Sequence, residues 1–157
     1  NMPFQTNSFE TILNIQVLEH VFDPNKMVSE CARVLKKDGF GIFLIPQTAN
    51  IHMTPFHYYN FTRFWIEEVM KINGLEIIDI VPLGGGWMTN AYRNFYFLLM
   101  IFKPKNNTYK GLTRNFFYYL LLPFSVLFAI ISVFISLCFS IGDYYEEPPN
   151  HLVVVRK

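Results

Sequence analysis

Residues 116–141 run for 26 positions without a charged side chain, and this run constrains the chain more than any other feature. Roughly 20 apolar residues are enough for a helix to cross the hydrocarbon core of a bilayer. A buried helix of a soluble domain is seldom this long without a charge, so the run reads as a membrane-associated, transmembrane-type helix. Ser125, Ala129, Ser132, Ser136 and Ser140 recur at steps of four, three, four and four. That spacing draws one stripe of small side chains suited to close helix packing. Pro123 is expected to bend the segment or to open a shorter helix.

The apolar excess is local. Hydrophobic residues make up 52% and aromatics 18%, with 17 Phe, and much of this lies after residue 94. A net charge of +1 gives no broad basic field for nucleic acid. Cys31 and Cys138 have no metal-ligand spacing and read as reduced, buried thiols. The chain opens on Asn1 in a turn leading to a strand, so it is read as a piece of a longer protein.

Upstream of the apolar run, short apolar stretches alternate with amphipathic ones, as in βα units around a parallel sheet. Strands are predicted over 11–17, 40–45 and 75–81, and a last one over 151–155 after an acidic turn at 143–149. The run at 40–45 is almost wholly apolar, as expected of a strand covered on both faces. Asp23 and Pro24 supply a cap and a first helical position, with Met27, Val28, Cys31, Val34 and Leu35 on one face. Residues 36–39 read as a turn and 47–61 as a loop. Thr62 caps the next helix, in which Glu67 and Lys71 are spaced to pair, and Asn73 and Gly74 end it. Residues 84–86 form a glycine connector to a helix over 88–102, followed by a basic link. Leu18 to Val21 follow the carboxyl end of a parallel strand, the edge where open α/β sheets bind ligands. His20 there is a natural proton acceptor for a hydroxyl.

The text MPFQTNSFETILNIQVLEHVFDPNKMVSECARVLKKDGFGIFLIP carries several motifs in order over about 45 residues. They are a Pro-Phe turn, a Ser-Phe-acidic lead into a strand, Leu-Glu-His-Val, an Asp-Pro helix start, Glu-x-x-Arg-Val-Leu and a glycine-containing turn. Together they resemble the type 11 group of class I S-adenosylmethionine-dependent methyltransferases. The resemblance implies the C-terminal half of a Rossmann-like α/β sheet with an antiparallel last strand, and S-adenosyl-L-methionine as cofactor. It implies that Gln16, Val17, Leu18 and Glu19 line the cofactor pocket, with His20 beside the transferred methyl as the catalytic base. The loop PFHYYNFTRFW is similar to one that folds over the acceptor in a subset of these enzymes, which makes His57, Tyr58 and Tyr59 substrate contacts. Members similar to quinone-biosynthesis O-methyltransferases hold a divalent metal with a carboxylate where Gln16 stands, together with the Glu-His pair matched here by Glu19 and His20. The amide removes an anionic ligand, so no metal is expected. Glu10 stands for the group's usual Asp, and Lys37 with Asp38 for its Pro-Gly, as surface variation. The family's glycine-rich loop and ribose-binding acid have no counterpart, so this chain alone is expected neither to bind nor to turn over cofactor.

The expected organisation is a methyltransferase part over 1–102, a basic linker plus apolar segment over 103–142, and a turn with the final strand over 143–157. Lys103, Lys105, Lys110 and Arg114 precede the run, while Asp143, Glu146 and Glu147 follow it, which places its start on the cytoplasmic side. A single span would part the last strand from its sheet. A re-entrant hairpin bent near Pro123, or an interfacial helix, keeps both on the cytoplasmic face. The expected function is methylation of an oxygen on a lipid-linked or membrane-confined acceptor. A nucleotide-dependent dehydrogenase and a non-enzymatic membrane protein with a vestigial α/β half stand as alternatives. The acceptor and the oligomeric state are not legible.

Overall fold

The computed structural model describes residues 2–101 and 114–157. They form two compact units, Asn1–Leu83 with Pro148–Lys157, and Gly84–Glu147. The boundary expected near 102 falls at 83 in this division, because the helix after the glycines packs along the apolar helix.

The first unit is a four-stranded sheet with two helices. Its strands are β1 (Phe9–Ile15), β2 (Leu35–Pro46), β3 (Glu76–Leu83) and β4 (Asn150–Arg156), and its helices are α1 (Pro24–Val34) and α2 (Arg63–Ile72). Spatial order is β1-β2-β4-β3, with β1 and β2 parallel and β4 antiparallel to both neighbours. The last strand of the chain thus lies inside the sheet. Asp23 caps α1 by accepting the Lys26 amide at 3.0 Å, and Thr62 caps α2 by accepting the Trp65 amide. Val28 and Cys31 of α1, Ile66, Val69 and Met70 of α2, and Phe43, Ile45, Val153 and Val155 of the sheet make one core.

Several local expectations change. β1 ends at Ile15 because Gln16 turns to a φ of 54°. The turn expected at 36–39 is absorbed into β2 as an irregularity opposite β1, with Asp38 at a φ of 62°. Aspartate tolerates that region better than most residues. Glu67 pairs with Arg63 at 2.7 Å, one turn before it, and the Lys71 pairing is not formed. Glu30 and Arg33 do more than pair. Arg33 donates to the carbonyls of Phe4 and Met2, and Glu30 accepts the Met2 amide, so together they clamp the N-terminal turn.

The sheet is covered on one face only. Leu13 (67% exposed), Ile15, Val81 and Leu83 stand open on the other, since α1 and α2 are the only α-helices this unit has among the described residues. Cys31 is buried, which pushes its thiol up to about 11, whereas Cys138 is exposed, against expectation.

The second unit is a helical hairpin of α3 (Gly86–Ile101) and α4 (Phe116–Phe139), closed by a short 3-10 turn, Ser140–Gly142. Lys103, Lys105 and Lys110 of the basic link lie outside the described residues. Asn115 caps α4 by accepting the Tyr118 amide at 3.0 Å, and the helix runs through Pro123. Pro123 neither opens nor ends the helix, and the chain reverses direction between α3 and α4. Trp87 at the start of α3 stacks on Phe139 at the end of α4, while the Tyr118 hydroxyl donates to the Ile101 carbonyl, so the two helices are antiparallel. The small-residue stripe faces the partner helix. Ala129 and Ser136 are fully buried, and the Asn90 amide donates to Ser136 at 2.7 Å. Asn94 donates to Ser132 at 3.2 Å. Most other large side chains of α4 are exposed, Phe128 at 69% among them.

Asp143 closes the root of the hairpin by accepting the Trp87 and Met88 amides at 2.8 and 2.9 Å, which caps α3 from outside its own sequence. Burial works to raise its carboxyl, yet the amides of Met88, Trp87 and Tyr144 hold it below the usual 3.8. A depressed carboxylate contributes stability above its unfolded value, and that contribution fades as pH falls through the folded one. Acidification below about pH 4 is therefore expected to loosen the root, and Asp143→Asn to abolish this response. Trp87 fluorescence in a Trp65→Phe background reads the change. A signal equally pH-dependent in both proteins would exclude Asp143 as its source.

Candidate functional site

The site forms where β1 ends. Past Ile15 the Gln16 amide hydrogen-bonds the Leu44 carbonyl, and its side chain donates to Asn150 Oδ1 at 2.6 Å. The chain then coils into a single 3-10 turn, Leu18–His20. Leu18 is drawn into the core, and Glu19 is fully buried beside it. The loop after β2 folds back onto this turn. The Tyr58 amide donates to the Glu19 carbonyl at 2.8 Å, and the Tyr59 hydroxyl donates to the Phe22 carbonyl at 3.1 Å.

Three histidines converge here, two of them from that loop. His20 Nδ1 lies 2.6 Å from the Phe56 carbonyl, and its Nε2 lies 3.0 Å from Nε2 of His52. His52 Nδ1 faces the Asn50 carbonyl at 2.8 Å and His57 Nδ1 at 3.1 Å. His57 Nε2 reaches the Tyr59 carbonyl, and its Nδ1 receives the His52 amide. Partners assign the tautomers. A nitrogen against a carbonyl must carry hydrogen, so His20 and His52 each hold a proton at Nδ1, and their Nε2 atoms share a hydrogen bond. Glu19 Oε1 is 3.7 Å from His20 Nε2, and neither Glu19 oxygen has a hydrogen-bond partner. Burial first, then the neighbouring His52, hold the His57 imidazole below its usual value.

Of the residues singled out by sequence, the structure gathers Glu19, His20 and His57. Gln16 and Val17 are half-buried on the turn, while Leu18 offers a ligand only its backbone. The Tyr58 and Tyr59 rings stand largely exposed, with Tyr58 edge-on to Phe22. Sequence reasoning missed His52. The signal was a second histidine five residues before His57 in a loop without periodicity.

The first unit is thus an open mixed sheet with an antiparallel strand set between β2 and β3 and a ligand edge at the end of β1, an α/β Rossmann-like arrangement. The inserted antiparallel strand departs from the mostly parallel sheet of a dinucleotide-binding dehydrogenase. Residues 1–43 match the family model described as "Methyltransferase domain". A protein of Mycolicibacterium smegmatis described as "Probable S-adenosylmethionine-dependent methyltransferase" is 29% identical over 91 residues, covering 54% of this chain and 35% of its own length. A Mycobacterium tuberculosis protein of the same description is 35% identical over 54 residues, covering 34% of this chain and 19% of its own length. The chain thus spans about a third or less of these relatives. Among solved structures, an S-adenosylmethionine-dependent methyltransferase from Archaeoglobus fulgidus superposes with a TM-score of 0.51 at 10% identity, covering 98% of this chain and 62% of that one. The cyclase SpnF superposes at 0.55 and 15% identity, covering 100% and 52%. A cyclase on this fold shows that the fold alone does not fix the reaction.

Proposed function

We propose that the protein carrying this chain transfers a methyl group from S-adenosylmethionine to an oxygen of a lipid-linked or membrane-confined acceptor. The observation that carries the chemistry is His20 at the carboxyl edge of β1, with Nδ1 held by the Phe56 carbonyl and Nε2 turned toward His52 and Glu19. When bound, the cofactor supplies an electrophilic methyl on a sulfonium. The turn suits that positive charge, because it holds the buried Glu19 carboxylate, whose oxygens accept no hydrogen bond, beside the half-buried Gln16 and Val17. Phe56 fixes the tautomer of His20, leaving Nε2 to take the acceptor's proton as the new carbon–oxygen bond forms and the carbon–sulfur bond breaks. A cleft of about 350 Å³ bordered by Phe22, Tyr59, Phe61 and Trp65 opens further along the same two segments and gives an acceptor an aromatic wall.

The membrane part of the reading rests on α4, long and apolar enough to cross a bilayer and only 11% buried across its most apolar stretch. Antiparallel pairing with α3 returns the chain to the side from which it left. This favours a re-entrant or in-and-out hairpin on the cytoplasmic face over a single span.

His20→Ala in the intact protein is expected to lower kcat by about 100-fold or more while cofactor affinity changes little. Calorimetry with S-adenosylmethionine and a turnover assay check this. Unchanged kcat with weakened cofactor binding would make His20 a pocket wall and not the base.

A further inference from the structure

We infer that the root of the helical hairpin binds a zwitterionic phospholipid, its headgroup in a polar pocket and an acyl chain in the apolar groove beyond. The pocket holds about 300 Å³ and lies between the first turns of α3 and the segment after α4, bordered by Trp87, Asn90, Arg93, Tyr144 and Glu147. The groove, of about 480 Å³, is bordered by Asn94, Phe97, Leu121, Phe124 and Phe128. Asn90, Arg93, Asn94 and Phe97 recur at helical spacing, so pocket and groove follow one another along a single face of α3. A polar end joined to an apolar run is the outline of an amphiphile.

Charge selects the headgroup. Arg93 is the one charged residue of α3, and α4 has none. Its side chain is exposed and forms neither an ion pair nor a hydrogen bond among the described residues. The same is true of the Glu147 carboxylate, although the Glu147 carbonyl accepts the Thr89 hydroxyl at 2.6 Å and so fixes the backbone there. A guanidinium on a helix surrounded by lipid is costly unless it meets an anion, and a phosphodiester is the anion a bilayer supplies. Glu147, with the rings of Trp87 and Tyr144, suits the quaternary ammonium that a choline headgroup carries a short link from its phosphate. Opposite charges that line one cavity without meeting leave room for a ligand bearing both. Asp143 already takes the amides at the start of α3, so that helix end draws no further anion.

The aromatic walls are fixed. Trp87 is stacked on Phe139 with ring centroids 5.0 Å apart, and the Tyr144 ring lies directly over Gly86, where a Cβ would strike it. Tryptophan and tyrosine favour the headgroup level of a bilayer, which is where Trp87, Tyr144 and Tyr145 set the root. Occupancy by a lipid rests on the hairpin meeting a membrane, as proposed for α4, and not on methyl transfer.

The test uses the full chain with Trp65→Phe, which leaves Trp87 as its remaining tryptophan. It is bound to vesicles of equal parts phosphatidylcholine and phosphatidylglycerol, in which a small fraction of one lipid or the other carries bromine on its acyl chains. Bromine quenches a nearby tryptophan. Brominated phosphatidylcholine is expected to quench Trp87 about threefold more than brominated phosphatidylglycerol. Glu147→Gln should abolish that preference, and Arg93→Gln should weaken quenching by both lipids, with circular dichroism confirming that each variant folds. Equal quenching by the two lipids in the parent chain, or an unchanged preference in Glu147→Gln, overturns the site and leaves the membrane reading intact. A chain that stays in the supernatant when the vesicles are sedimented overturns both. A Trp87 response to soluble glycerophosphocholine without vesicles would assign the pocket to a soluble phosphodiester and overturn the lipid.

Discussion

Excision of residues 84–147, with Leu83 joined to Pro148 by a few Gly/Ser residues, is expected to yield folded protein that no longer sediments with membranes. β3 and β4 are antiparallel partners whose last rung pairs Leu83 with Asn150, so a short loop closes them as an ordinary β-hairpin. The core of the first unit, including Phe43, Ile45, Val153 and Val155, comes from residues outside the excision. The excised part carries the exposed apolar helix. Membrane fractionation and a thermal melt check the outcome. Continued sedimentation would place the anchor elsewhere, and loss of the folding transition would show that the sheet depends on the hairpin.

Phe43→Ala is expected to destabilise the first unit by about 3–5 kcal/mol, a large share of the stability of a domain this size. Phe43 is 1% exposed, and its ring leans over Gly41, two residues earlier on the same face of β2. A Cβ at Gly41 would meet that ring at 2.8 Å and Val155 at 2.8 Å. Truncating the ring therefore opens a void above the bare backbone of Gly41. Urea unfolding followed by circular dichroism measures the loss. A change under about 1 kcal/mol would mean the surrounding structure closes the gap.

What the sequence disclosed follows the range of the forces involved. Caps and stops act within one turn, so Asp23, Thr62 and Gly74 marked α1 and α2 closely. The stripe from Ser125 to Ser140 told that α4 packs against something, but not against what. Asn90 and Asn94 sit four apart in α3 and read as polar exceptions until Ser132 and Ser136 come opposite. The clamp of Glu30 and Arg33 on Met2 and Phe4 was likewise hidden, since an i,i+3 pair looks complete by itself. The site was half legible. Glu19 and His20 were marked by their place after a parallel strand, whereas His52 arrives through the return of a long loop that no local spacing encodes. The open face bearing Leu13 and Ile15 was not foreseen, because an apolar strand does not say how many of its faces are covered.

The position of β4 between β2 and β3 has a consequence in time. A ribosome delivers the N-terminal side first, at roughly 5–20 residues per second, so β2 and β3 emerge before the hairpin and β4 only after it. For several seconds the two strands that will flank β4 have unpaired edges, the kind that seek another chain. Over the same interval α4 leaves the exit tunnel and can enter lipid. Synthesis at a membrane would then hold each nascent chain apart from its neighbours until its own last strand arrives to fill the gap.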